Sequence, residues 1–289
     1  VSAPVGPRTS HTALRAGAVA HRWAGVTGTD VDVLCAVGVR SDEEDRRVGE
    51  SIVLDLARGR VTTRTRLPFA VMAVGGTASA PLFLDGHGGL WRLDGDTPQQ
   101  RLDHVVRVVG GLALTDDGRV VAVDGAADRV LATGARGLGD GLIVVDDGVL
   151  LVDDGVVGRR IAWTPPATVT ACHRDGDAIA VYGDQRLFVL DATRPEPLVR
   201  SVPGPAVAHC VARAPGRWLL GCSVGGLLAL DDDDDALRVR RPSLRAHQIL
   251  RIGSGFAAVS DLLIATSDDG VDWLGRDLTS VVRHFSSAS

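Results

Sequence analysis

Residues 82–94, LFLDGHGGLWRLD, follow a plan of apolar strand, glycine-bearing turn, apolar strand and terminal Asp, and the plan returns along the chain. Its other copies are 33–55 (VLCAVG to SIVLD), 112–124 (LALTDDGRVVAVD), 142–153 (LIVVDDGVLLVD), 178–191 (AIAVYGDQRLFVLD), 218–231 (WLLGCSVGGLLALD) and the shorter 256–267 (FAAVSDLLIATS). They close on Asp55, Asp94, Asp124, Asp153, Asp191, Asp231 and Ser267, in steps of 39, 30, 29, 38, 40 and 36 residues. A period of this length, carried by strands, makes each repeat one small sheet that buries its faces against its neighbours.

The reading that follows is all-β: a single closed β-propeller of seven four-stranded blades over 18–285, with 1–17 as an N-terminal tail or strap and 286–289 as a C-terminal tail. Between the copies lie further alternating runs that suit outer and inner strands, such as RVTTRTRLP (60–68), HVVRVVGG (104–111), PLVRSV (197–202) and HQILRI (247–252). No window has sustained 3.6-residue periodicity, so little helix is expected. Six blades is the alternative, because DRVLATGARGLGD (128–140) must supply both an outer strand and the next inner one. Closing the array removes the unpaired edges that an open stack exposes. Either SVVRHF (280–285) or the N-terminal HTALRAG is placed to make that closure.

Composition narrows the chemistry. There is no Lys and no Asn, and all 31 basic residues are Arg, as in a GC-rich and therefore bacterial gene. Schiff-base lysines, a P-loop lysine and N-linked glycosylation are thereby excluded. A net charge of -5 argues against sequence-independent binding of nucleic acid, which needs a basic face. Cys35, Cys172, Cys210 and Cys222 lie in apolar strand text without paired spacing, which reads as free buried thiols in a reducing cytoplasm. No apolar run is long enough for a membrane helix, and the first residues lack a signal peptide's apolar region.

TSDDGVDW (266–273) matches the pattern [ST]-x-D-x-G-x-x-W through Thr266, Asp268, Gly270 and Trp273. It resembles the Asp-box of BNR-repeat, sialidase-like propellers, in which the box is a structural hairpin between the third and fourth strands of a blade. The resemblance implies that Asp268 bonds turn amides and that Trp273 packs between blades. It does not extend to the sialidase active site, since Tyr182 is the only Tyr and lies in a second strand.

Among candidate sites the histidines stand out. His21, His104, His173, His209, His247 and His284 fall in the segments read as innermost strands, which would ring one mouth of the central channel. Imidazoles so placed hold a divalent metal if three converge on one point, and otherwise bond backbone carbonyls. Asp231 to Asp235 reads as a hydrated turn, because calcium loops interleave their carboxylates with glycine and backbone ligands. The charged insertion 39–50, with Asp42, Glu43, Glu44, Asp45, Arg46 and Arg47 at its centre, reads as a loop for docking a partner. No nucleophile elbow appears. The function expected is a non-catalytic interaction or scaffold propeller of a bacterial cytoplasmic multiprotein system, binding a protein or peptide and needing no cofactor. The alternative is a metal-assisted lyase or hydrolase working at the His-rich mouth.

Overall fold

In a computed structural model of the chain, the residues described are 22–27, 33–41, 47–55, 60–77, 79–95, 97–123, 127–194, 196–252, 254–260 and 264–273. They form antiparallel sheets in a ring, with no helix among the described residues. The first sheet holds β1 (Arg22–Thr27), β2 (Val33–Ser41), β3 (Arg47–Asp55) and β4 (Arg60–Leu67). The second holds β5 (Val71–Gly76), β6 (Pro81–Asp85), β7 (Leu90–Asp94) and β8 (Thr97–Leu102). The third holds β9 (Val105–Val109), β10 (Leu112–Thr115), β11 (Val120–Ala122) and β12 (Arg129–Ala132). The fourth holds β13 (Ala135–Gly139), β14 (Leu142–Val145), β15 (Gly148–Asp153) and β16 (Val156–Ala162). The fifth holds β17 (Ala171–Asp175), β18 (Ala178–Gly183), β19 (Arg186–Asp191) and β20 (Leu198–Pro203). The sixth holds β21 (Ala208–Ala214), β22 (Arg217–Cys222), β23 (Leu227–Asp231) and β24 (Arg238–Arg241). The last holds β25 (Gln248–Ile252), β26 (Gly255–Val259) and β27 (Ile264–Ser267).

Four-stranded blades therefore number six, not seven, and the last sheet has three strands among the described residues. The shortfall is not where the sequence looked crowded. Only residues 133 and 134 separate β12 from β13, and Gly134 makes that link at φ 68°. The segments considered for a terminal splice, 280–285 and the N-terminal residues, lie outside the described residues, as do the two tails. At the seam, β1 lies against β25 and β26, and His247 Nε2 is 3.2 Å from the Ala24 carbonyl oxygen.

Strand order follows chain order in every sheet, and the first strands β1, β5, β9, β13, β17, β21 and β25 stand side by side as an inner wall. Second strands such as LIVV and AIAVYG are almost wholly buried, because a middle strand has apolar neighbours on both faces of its sheet. Outer strands are mostly exposed and polar. The core is accordingly divided into layers, each between two adjacent blades. Leu82, Leu84, Leu90, Val105, Val108 and Val121 fill the layer between the second and third. Leu142, Val149, Ile161, Ile179 and Leu190 fill that between the fourth and fifth. The repeat's closing residues Asp55, Asp94, Asp153, Asp191, Asp231 and Ser267 each end the third strand of a sheet.

This up-and-down order puts the second-to-third-strand turns and the blade-to-blade connections at one end of the ring, the upper face. The other turns form the lower face. The insertion 39–50 is largely absorbed into strands. β2 and β3 stay paired as far as Ser41 and Arg47, leaving only 42–46 as the connection, outside the described residues. At nine residues each, β2 and β3 are the longest strands described.

Candidate functional site

The upper mouth of the channel is shaped by β-bulges. In pairing with its second strand, the inner strand skips Ala24 in β1, Met72 in β5, Val106 in β9, Arg136 in β13 and His209 in β21. A bulge adds one residue to one strand, so the skipped side chain is re-aimed and the alternation beyond it reverses phase. Met72 and Val106, both apolar, stand 63% and 57% exposed at neighbouring positions of the mouth. His209 is also exposed, and Arg136 is paired with Asp146 of its own blade's upper turn.

The phase reversal has a regular consequence. Val71 and Val74, three residues apart, share the layer toward the first blade, and Val105 and Val108 share that toward the second. Ala208 and Val211 do the same toward the fifth blade. The residue after each bulge is turned the other way, toward the next blade. At four of the five places it is small, Gly25, Ala73, Gly137 and Cys210. At the fifth it is Arg107.

A guanidinium does not fit where Ala, Gly and Cys pack. Arg107 Nη1 donates to the Thr170 carbonyl oxygen at 2.6 Å, next to the inner strand of the fifth blade. Two glycines bring that strand within reach. A Cβ on Gly137 would lie 2.5 Å from Val169 Cγ1, and one on Gly139 would lie 2.2 Å from the Cys172 carbonyl oxygen. Their absence lets β13 and β17 approach closely enough for Asp140 to bridge to His173.

Arg107 is half-buried. Among the described arginines of the inner strands, Arg136, Arg174 and Arg213 each have a carboxylate partner, whereas Arg107 has none. Nearby, the Thr170 hydroxyl is buried without a hydrogen-bond partner. Burial pushes the Cys172 thiol up to about 11 and the Cys210 thiol up to about 12, with the positive charge of Arg107 working the other way in both. Both remain neutral thiols near pH 7, and Cys172, Cys210 and Cys222 are free and buried. The side chain of Cys35 lies outside the described residues.

The four described histidines of the expected ring do different things. His104 precedes β9 in the left-handed region at φ 61°, with Nδ1 3.4 Å from Asp116 Oδ2. His173 lies in the wall of the fifth blade, edge-on to Trp218. Burial lowers its pKa, against the opposing pull of Asp140 and Asp175. His209 occupies a bulge, and His247 bonds across the seam to Ala24. Among the described residues, no group of three or more His, Cys, Asp or Glu is placed to hold a metal ion. His21 and His284 lie outside the described residues, as do Asp42, Glu43, Glu44, Asp45, Arg46 and the side chain of Arg47.

Trp273 is buried at 2% exposure with Ala214, Leu219 and Phe256, and its indole N–H donates to the Gly270 carbonyl at 2.9 Å. The turn itself departs from expectation. Asp269, not Asp268, accepts from the amides of Val271 at 2.8 Å and Asp272 at 3.0 Å, while Gly270 N–H donates to the Ser267 hydroxyl. Asp268 is exposed, because Ser267 and Asp269 are the residues whose side chains face the turn amides. A second, tighter turn of this kind was missed in the sequence. Asp85 accepts from the amides of His87 and Gly89 and from the Trp91 indole at 2.7 Å. Burial pushes its carboxyl up, but the Trp91, Gly89 and His87 hydrogen bonds outweigh this and hold it below the usual range.

The run Asp231 to Asp235 is a turn with Asp232, Asp233 and Asp235 exposed, as expected, and three of its carboxylates also take part in ion pairs. Arg213 grips Asp232 with two bonds of 2.6 and 2.7 Å, Arg238 pairs with Asp234 at 2.9 Å, and Arg240 and Arg217 flank Asp231. The basic run 238–245 thus folds back on the acidic run that precedes it.

No protein-family model and no curated protein matches the chain in sequence. Among solved structures, it is similar to Sqt1 from Chaetomium thermophilum at 13% identity and TM-score 0.55, covering 88% of this chain and 82% of that one. It is similar to YCF48 bound to D1 peptide at 14% identity and TM-score 0.54, covering 83% and 89%. The WD40 domain of Neurospora crassa Pan2 matches at 13% identity and TM-score 0.51, covering 90% of each chain. At these identities the likeness establishes the fold, a β-propeller.

Proposed function

We propose that this chain is a non-catalytic interaction propeller, its ring closed, that docks a protein or peptide on its upper face within a bacterial cytoplasmic multiprotein system. The observation that carries the reading is the mouth itself, where bulges expose Met72 and Val106; the segment 42–46, which links β2 to β3, is dense in charge of both signs in the sequence. Exposed apolar groups beside charge suit a protein surface, with the charges steering the encounter. The fold it shares with YCF48, which is bound to a peptide, is consistent with such a use. The thiols and the lysine-free composition support a reducing bacterial cytoplasm.

A photo-crosslinking residue placed at 72 or 106 tests the reading, with positions 156 and 198 on exposed outer strands as controls. The expected result is discrete protein adducts from the mouth positions only, weakened when 42–46 are replaced by a short neutral turn. Equal labelling from the outer strands, or none from the mouth, overturns it.

A further inference from the structure

Two neighbouring blade junctions of the upper face share one backbone plan and carry different side chains. Between the second and third blades, Val105 N–H donates to the Gly88 carbonyl; between the third and fourth, Ala135 N–H donates to the Gly118 carbonyl, each at 2.9 Å. A Cβ on Gly88 would lie 3.5 Å from His104 Cα, and one on Gly118 would lie 3.5 Å from Gly134 Cα. His104 and Gly134 are therefore equivalent, and both are left-handed, at φ 61° and 68°. Glycine takes that conformation freely. A histidine held there is strained, so the turn does not account for its side chain, which is 75% exposed.

The charges differ between the junctions as well. At the third-to-fourth junction, Asp117, Asp146 and Asp147 are paired with Arg119, Arg136 and Arg160. At the second-to-third junction the bulged residues are Met72 and Val106, and no arginine is paired with Asp103 or Asp116 among the described residues. Asp103 accepts from the Gln100 side-chain amide, and Asp116 Oδ2 lies 3.4 Å from His104 Nδ1. Asp116 N–H also donates to the His104 carbonyl at 2.8 Å, and Val105 pairs with Thr115, so His104, Val106 and Asp116 stand at one end of the same strand pair. Negative charge without a guanidinium thus lies beside exposed apolar side chains.

We infer that the docking partner covers this junction with apolar side chains and a basic one, the apolar groups on Met72 and Val106 and the cation toward Asp103 and Asp116. The sign of the uncommitted charge selects the partner, since opposite charge steers and fixes a contact. His104 is a positioning residue, its imidazole holding the Asp116 carboxylate. The inference rests on the docking function proposed above and names the chemistry of the partner.

The test uses short N-acetylated, C-amidated peptides of Leu and Ala with a central Arg, and the same peptides with Gln or Glu in its place. Binding to the full chain is titrated by saturation-transfer NMR at low salt. The Arg peptides are expected to bind about fivefold more tightly than the Gln peptides, the upper end for an exposed pair, and the Glu peptides most weakly. In Asp103→Asn/Asp116→Asn the Arg-to-Gln ratio should fall to about one, whereas Asp191→Asn on the lower face should leave it unchanged. His104→Gly should lower the ratio while the melting temperature holds or rises, and His104→Asn, which tolerates the left-handed backbone and keeps a donor, should restore part of it. A ratio unchanged in the double variant, or Glu peptides binding best, overturns the assignment. A ratio unchanged in His104→Gly removes the role given to His104. Crosslinks from 72 and 106 that persist while none of these peptides binds would reject this partner chemistry and leave the docking function standing, whereas loss of the crosslinks themselves removes both.

Discussion

On the lower face, arginines of one blade reach the turns of the next. Arg129 donates to the Gly155 carbonyl at 2.7 Å, Arg159 pairs with Asp177, and Arg200 donates to the Asp232 carbonyl at 2.6 Å. On the upper face the stitches are backbone bonds: Val105 N–H to the Gly88 carbonyl and Ala135 N–H to the Gly118 carbonyl, each at 2.9 Å. Gly88 and Gly118 sit at φ 84° and 77°, and a Cβ on either would stand about as close to the next blade's strand. The charged links between blades are thus more frequent on the lower face, where Gly76 N–H also donates to the Gly110 carbonyl, and on the upper face Arg107 is the charged exception among the links named. Met72 and Val106 are exposed at the upper mouth because the bulges skip them in the pairing of inner and second strands.

The comparison is broken most severely by Trp273→Ala, which empties a buried aromatic site between the sixth and last blades. A loss of about 3–5 kcal/mol is expected in denaturant unfolding, the range for truncating a large aromatic. A loss within noise would mean that the last sheet is not integrated with the ring. Next in size is Asp85→Ala on the upper face, which removes the acceptor for two amides and the Trp91 indole. It should cost about 1–3 kcal/mol, the penalty for leaving buried donors unpaired. The loss should be insensitive to salt, and Asp85→Asn should recover part of it.

The smallest effect is expected from Asp232→Asn on the lower face. The Arg213 hydrogen bonds hold this carboxyl below the usual range, but its side chain is 45% exposed, so solvent screening limits the pair to about 1 kcal/mol or less. A depressed folded pKa contributes stability that is present above the unfolded value, about 3.9, and is lost as pH falls through the folded value. Wild type should therefore lose this contribution below about pH 4, and the Asn variant should not. The difference between them near pH 7 should shrink in 1 M salt, as surface pairs are screened. A variant as costly as Asp85→Ala would show that the two faces do not differ in the way described.

Strand positions were legible in the sequence because a middle strand's two buried faces leave unbroken apolar text, as in LIVV and AIAVYG. The closing Asp residues were legible too, since a polar residue marks where a third strand leaves the core. Trp273 was found through a local pattern, although the aspartate that bonds its turn proved to be Asp269, a choice made by the turn's backbone geometry. Of the charged insertion 39–50, residues 39–41 and 47–50 belong to β2 and β3, and 42–46 lie outside the described residues.

What the chain by itself determined is the all-β class and the chain order of its small sheets, though not how many of them have four strands, for burial between like neighbours imposes the same apolar text on each repeat. What only tertiary structure decided is which side chains meet. A bulge is one extra residue whose effect depends on pairing with the second strand, and VMAV, VVRV, ARGL and AHCV look alike until that pairing is known. The pairing turns Arg107 from the second blade toward the fifth, and the glycines of β13 bring the fifth blade near enough to receive it. An arginine in the middle of an apolar inner strand was the one visible signal. Its meaning lay in the direction the bulge gave it.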